Sequence, residues 1–234
     1  MDTHRIVDHA QWQLERRQLL EREKDFTRQR DALARERQAL PWEPVERTYE
    51  FIGAQGKVGF DALFEGRGQL LVYHFMYAPE WDIGCKSCSF WADQFDAIIP
   101  HLRQRDVTLA AVSRAPLEKL AAQARRFGWH FPWYSAVGEA FNQDFQVSFS
   151  DTQLASGSVD YNYEARQTKM TDLPGISAFI RDGGRIHHTY SAYSRGLDAL
   201  NAAYQFLDIA PKGRDEAGLP YPMAWIRHRI AYDT

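Results

Sequence analysis

Cysteine is almost missing from this chain: Cys85 and Cys88 are the only two in 234 residues. One pair cannot staple a disulfide-dense secreted scaffold, and in a reducing compartment a lone structural bridge is poorly motivated. Long apolar runs are missing too. None approaches the roughly 20 residues that span a bilayer, and the opening MDTHRIVDHAQWQLERR lacks the hydrophobic core of a secretory signal. The expectation is therefore a cytoplasmic protein without a membrane partner. An excess of one charge is the third absence. Twenty-eight Lys and Arg against 31 Asp and Glu leave a net charge of −3, which gives no attraction to nucleic acid.

What is present is enough apolar and aromatic residue, 44% and 14%, to build a packed core. Residues 11–40 read as one polar helix without Gly or Pro. Between Glu15 and Arg37, 14 of 23 residues are charged, 8 basic and 6 acidic. Trp12, Leu19, Phe26, Leu33 and Leu40 recur every seven residues, but Glu15, Arg22, Gln29 and Glu36 deny the second stripe of a coiled coil. Such a helix suits either a stripe laid on its own domain or an arm on a second subunit, so a homodimer is compatible with it. LPWEPVER ends the helix. The organisation expected is an N-terminal helical extension over 1–44, a main domain over 45–212 and a packed tail over 213–234.

YEFIGAQGKVGF has the alternation and glycines of a hairpin. QLLVYHFMY (69–77) is an apolar run suited to a strand buried on both faces. Cys88, Trp91, Ala92, Phe95, Ile98, Ile99 and Leu102 follow at helical spacing, with Pro100 expected to kink or end that helix. DVTLAAVS reads as a strand, APLEKLAAQARRFG as a helix with Pro first and Gly last, and FPWYSAV as a further strand. Residues 150–172 are polar and aperiodic, which predicts a long surface loop. ISAFIRDGGRIHHTYSAYS predicts a hairpin about Asp182-Gly183-Gly184, and residues 196–210 predict a helix. Strands alternating with helices, then a hairpin, imply an α/β fold: a mixed sheet flanked by helices.

A CxxC where a buried strand passes into a helix is the thioredoxin-like arrangement. At a helix start, exposed N–H groups favour a thiolate, and Lys86 adds a positive charge. Cys85 is expected to attack and Cys88 to resolve the mixed disulfide. A metal reading lacks ligands, because a closed zinc site needs four and His187 and His188 point to opposite faces of a strand. No metal and no cofactor is expected. His74, in the strand feeding the cysteines, is either a proton partner for a buried thiol or a histidine hydrogen-bonded for packing. Trp81 is a candidate rim for a docking disulfide. Leu173 and Pro174 begin a strand expected to face the cysteines, where a thioredoxin-like fold typically has a cis proline beside bound substrate.

EKDFTRQRDALARERQALPW, QLLVYHFMY with CKSCSFWAD, FNQDFQVSF, PGISAFIRDGG with HTYS, and the PMAWIRHR tail together resemble an uncharacterised bacterial thioredoxin-like family, domain of unknown function 899. The resemblance implies a thioredoxin-like fold with Cys85 and Cys88 at the redox positions. Thioredoxins proper carry Trp-Cys-Gly-Pro-Cys; here Gly84 precedes Cys85 and Lys86-Ser87 intervene. The longer approach APEWDIGC is more like peroxiredoxin spacing, yet Asp82 stands where those proteins have Thr and would repel a peroxide anion. The first expectation is a thiol–disulfide oxidoreductase acting on a protein or small-molecule disulfide, with a separate reductant. A thiol peroxidase and a non-catalytic interaction module are the alternatives.

Overall fold

The computed structural model describes residues 4–232. It divides into two compact units, one ending at Pro41 and one beginning at Trp42. The first is a single helix, α1 (His9–Gln38). Asp8 caps it by accepting a hydrogen bond from the Gln11 amide at 2.8 Å, and Pro41 cannot continue it. No residue of α1 is buried. Its own charges pair along its surface, as in Arg16–Glu23 (2.8 Å) and Lys24–Glu21 (2.9 Å), and such exposed pairs contribute little each.

The second unit contains strands β1 (Glu43–Pro44), β2 (Glu50–Gly53), β3 (Gly56–Gly59), β4 (Gln69–His74), β5 (Val107–Ser113), β6 (Trp133–Ala136), β7 (Val159–Tyr161), β8 (Glu164–Arg166), β9 (Gly175–Asp182) and β10 (Arg185–Tyr193). Its helices are α2 (Lys86–Ala92), α3 (Phe95–Arg103), α4 (Leu117–Phe127), α5 (Ala140–Asp144), α6 (Asp151–Ala155) and α7 (Ala202–Leu207), with 3-10 turns at Phe60–Phe64, Ser194–Leu200 and Arg229–Ala231. Eight strands form one sheet in the order β1-β10-β9-β4-β5-β6-β2-β3, while β7 and β8 pair apart. β4, β5 and β6 are parallel, and the β9–β10 hairpin joins β4 antiparallel. The order β10-β9-β4-β5, with the cysteine helix directly after β4, is a thioredoxin-like mixed α/β arrangement.

Two apolar layers cover the sheet. Tyr73, Phe75, Cys88, Trp91, Phe95, Leu120 and Trp133 lie in one; Phe51, Phe60, Leu70, Val72, Phe141 and Phe179 lie in the other. Successive β4 residues alternate between them, as the pleat requires. Each fully buried Phe or Leu contributes on the order of 2 kcal/mol. α4 starts after Pro116 and stops at Gly128, whose φ of 65° is the left-handed end that glycine adopts without cost.

Four expectations need correction. The expected extension over 1–44 takes in β1, which pairs with β10 and lies in the unit that begins at Trp42. The helix after the cysteines breaks at Asp93–Gln94, and Pro100 sits inside α3 without ending it. Residues 150–172 are structured: Ser150 and Gln153 form a reciprocal capping box that starts α6, and β7–β8 turns through Asn162 and Tyr163 at φ 58° and 63°. That double left-handed turn matches the twist of a two-residue hairpin. Residues 196–210 are a 3-10 turn and a short α-helix separated by Asn201, whose side chain caps α7 by accepting from the Tyr204 amide. No helix among the described residues is long and apolar enough to cross a membrane.

Candidate functional site

The chain from β4 to Cys85 is fixed by backbone and by residues far away in sequence. The Cys85 amide donates to the Met76 carbonyl at 3.0 Å. Lys119 Nζ donates to the carbonyls of Pro79 (2.8 Å) and Trp81 (2.7 Å), tying the lengthened approach to α4. Gln123 Oε1 accepts from the Gly84 amide at 2.7 Å, and the Gly84 carbonyl accepts from His228 Nε2 at 3.0 Å. A Cβ on Gly84 would meet Phe75 at 2.7 Å and Gln123 at 2.9 Å. The close packing of this segment explains why a bulky residue does not precede Cys85.

Cys85 occupies the N-cap of α2, is partly exposed and is reduced; Cys88 is reduced and buried. The Cys85 thiol is pulled down to about 7, first by a hydrogen bond from the Cys88 thiol. Burial opposes this, and the Cys88 and Ser87 amides with the Ser87 hydroxyl assist it. The largest contributions that lower it come from hydrogen-bond donors. The Cys88 thiol is pushed well up, first by burial and then by Cys85. Tyr73, also buried, has its phenol pushed well up by burial and by the adjacent cysteines.

His74 is elsewhere. Its ring packs against Phe141 (5.6 Å) and Phe145 (5.8 Å), in the layer opposite Cys88. His74 Nε2 is hydrogen-bonded to Ser177 Oγ at 2.8 Å, Ser177 to Ser191 at 2.7 Å, and Ser191 to His188 Nε2 at 2.8 Å. Burial and then the charge of His188 lower His74 to about 3. Of the two readings of His74, the structure fits the histidine hydrogen-bonded for packing, since strand parity sends Tyr73, not His74, to the cysteines.

Asp82 is exposed, and its backbone carbonyl accepts from Tyr77 Oη at 3.1 Å. Trp81 is half-buried at the edge of the Cys88 layer. Leu173 and Pro174 do come to the cysteine helix, lining a cavity with Ser87 and Cys88. They are held there by Asp172, which accepts two 2.8 Å hydrogen bonds from Arg114 at the end of β5 and a further one from Ser148. The bidentate pair is almost wholly buried, with side-chain exposures of 14% and 4%. No cis peptide occurs among the described residues, so the cis expectation at Pro174 is corrected.

Sequence reasoning missed Tyr73, Gln123, Tyr161 and His228. Gln123 did leave a signal, a polar residue on the buried face Leu120-Gln123-Phe127. His228 and Tyr161 left none, because they reach the site from segments without periodicity.

Solved structures similar to this chain include peroxidoxin BcpB from Mycobacterium tuberculosis, 15% identical over 70% of this chain and 94% of that one, TM-score 0.47. Peroxiredoxin Q of Xanthomonas campestris is 14% identical over 72% and 97%, TM-score 0.43. The mitochondrial 2-Cys peroxiredoxin of Plasmodium falciparum is 11% identical over 71% and 93%, TM-score 0.43. No curated protein matches. The model of one family, described as bacterial protein of unknown function (DUF899), matches residues 1–232, and the chain belongs to that family.

Proposed function

We propose that the protein is a thiol–disulfide oxidoreductase. The observation that carries this reading is the asymmetry of its two thiols. The partly exposed Cys85 is held near 7 and the buried Cys88 is pushed up, which suits one thiol for attack and the other for resolution. The Cys85 thiolate attacks one sulfur of a substrate disulfide, forming a mixed disulfide and releasing the other half as a thiolate. Cys88 then attacks the Cys85 sulfur, which closes the Cys85–Cys88 disulfide and releases the second half of the substrate, whose thiolate takes up the Cys88 proton. A dithiol reductant returns the pair to the reduced state by the reverse exchange.

A Cys88→Ser variant tests the order of events. Incubated with an aromatic disulfide or with cell protein, it is expected to accumulate mixed disulfides on Cys85, detected by mass spectrometry. Adducts absent from Cys85, together with a wild-type pair that never forms a reversible disulfide, would overturn the assignment.

A further inference from the structure

The cavity that Leu173 and Pro174 line together with Ser87 and Cys88 has a volume of about 200 Å³. Its walls are mostly apolar: Tyr73, Met76, Trp91, Leu173, Leu197 and Met223. Cys88 contributes to the lining and Cys85 does not. The wall on one side is the β7–β8 hairpin, within the segment that reads from sequence as a loop. Tyr161 of that hairpin clamps it: its hydroxyl donates to the Pro174 carbonyl at 2.6 Å and accepts from the Ser194 amide at 3.0 Å. Ser194, which also lines the cavity, is held at φ 50°, a left-handed conformation that non-glycine residues adopt at a cost. The cavity is thus walled by a clamped hairpin and a strained turn.

Charge at the cavity has one sign in excess. Arg166, Arg195 and Asp198 all line it. Asp198 is already engaged twice, by Arg195 at 3.1 Å and by Arg214 at 2.9 Å. Arg166, exposed on β8 at the rim of the cavity, has no carboxylate within ion-pair distance among the described residues; its guanidinium lies over the Tyr161 ring, 5.4 Å from the centroid. An apolar cavity with an exposed guanidinium at its rim, lacking an acidic partner, is the complement of a small molecule with an apolar body and one anionic head. The volume, below the about 300 Å³ at which drug-sized sites begin, limits the body to an aryl ring or short chain.

We infer that this cavity binds a small organic monocarboxylate non-covalently, its apolar body against Cys88 and Trp91 and its carboxylate on Arg166. The inference stands apart from the redox reading, since it needs no turnover. Calorimetric titration of the reduced full-length protein with phenylacetate and with its neutral isostere phenylacetamide tests it. Phenylacetate is expected to bind at least about tenfold more tightly than the amide, a difference near 1.4 kcal/mol. Arg166→Gln is expected to bring the two ligands to equal affinity, and Arg166→Lys to keep part of the preference. Circular dichroism on both variants checks that the fold is kept. No binding of phenylacetate at millimolar concentration overturns the inference, as does equal affinity for acid and amide in the unaltered protein. A preference that survives Arg166→Gln in a folded variant overturns the assignment to Arg166.

Discussion

The two faces of β4 use similar side chains for different ends. On one, Tyr73 shares its layer with Cys88 and lines an open cavity. On the other, His74 is enclosed by Phe141 and Phe145 and bonded into the Ser177–Ser191–His188 chain. One residue of sequence separates a group that acts on the thiols from one insulated from them by the sheet. Proximity in sequence along a strand therefore says nothing about proximity in chemistry, since adjacent side chains leave opposite faces.

The contrast breaks most sharply at the thiols. Cys85→Ser should lower disulfide reduction at least ~10³-fold, whereas His74→Phe should leave the pH dependence of Cys85 reactivity unchanged. A shift in that profile on replacing His74, read by thiol alkylation, would join the two faces that the fold separates.

Acid stability should carry a one-proton contribution from the His74 face. His74 titrates near 6.5 when unfolded and about 3 when folded, so the unfolded chain binds the extra proton between those values. Its contribution is complete above pH 6.5 and is lost as pH falls toward 3, at about 1.4 kcal/mol per unit and about 5 kcal/mol in all. Denaturant unfolding across pH 3–7 measures this, and His74→Phe should flatten the slope by one proton.

Gly84→Ala is expected to have a smaller effect. Its Cβ would press on Phe75 and Gln123, costing about 1–3 kcal/mol of stability, and should loosen the segment that presents Cys85. Equilibrium unfolding checks the first part. Tyr73→Phe should have the smallest effect. It removes a hydroxyl that helps hold the Cys88 thiol down, so closure of the Cys85–Cys88 disulfide should slow by less than about tenfold, measured by quenched-flow trapping. Attack by Cys85 should be unaffected.

The strand–helix alternation, the two hairpins and the position of the cysteine pair were legible because each rests on local chemistry: an apolar run, a Gly-Gly turn, a helix start. QLLVYHFMY hid the assignment of His74, because a run apolar on both faces carries no alternation to show parity. The segment 150–172 hid its hairpin in three-residue strands, too short for any period. The Arg114–Asp172 pair that sets Leu173 and Pro174 joins residues 58 apart, and the His228 contact to Gly84 spans 144. Such partners come together only through the topology of the sheet.

The proposed exchange turns on the ionisation of Cys85. Alkylation by iodoacetamide, followed residue by residue by mass spectrometry between pH 5 and 10, reads it directly. Cys85 is expected to be modified with a midpoint near pH 7, with Cys88 unreactive until far higher pH. A Cys85 midpoint at the ordinary thiol value of about 8.5, or Cys88 reacting first, would contradict it.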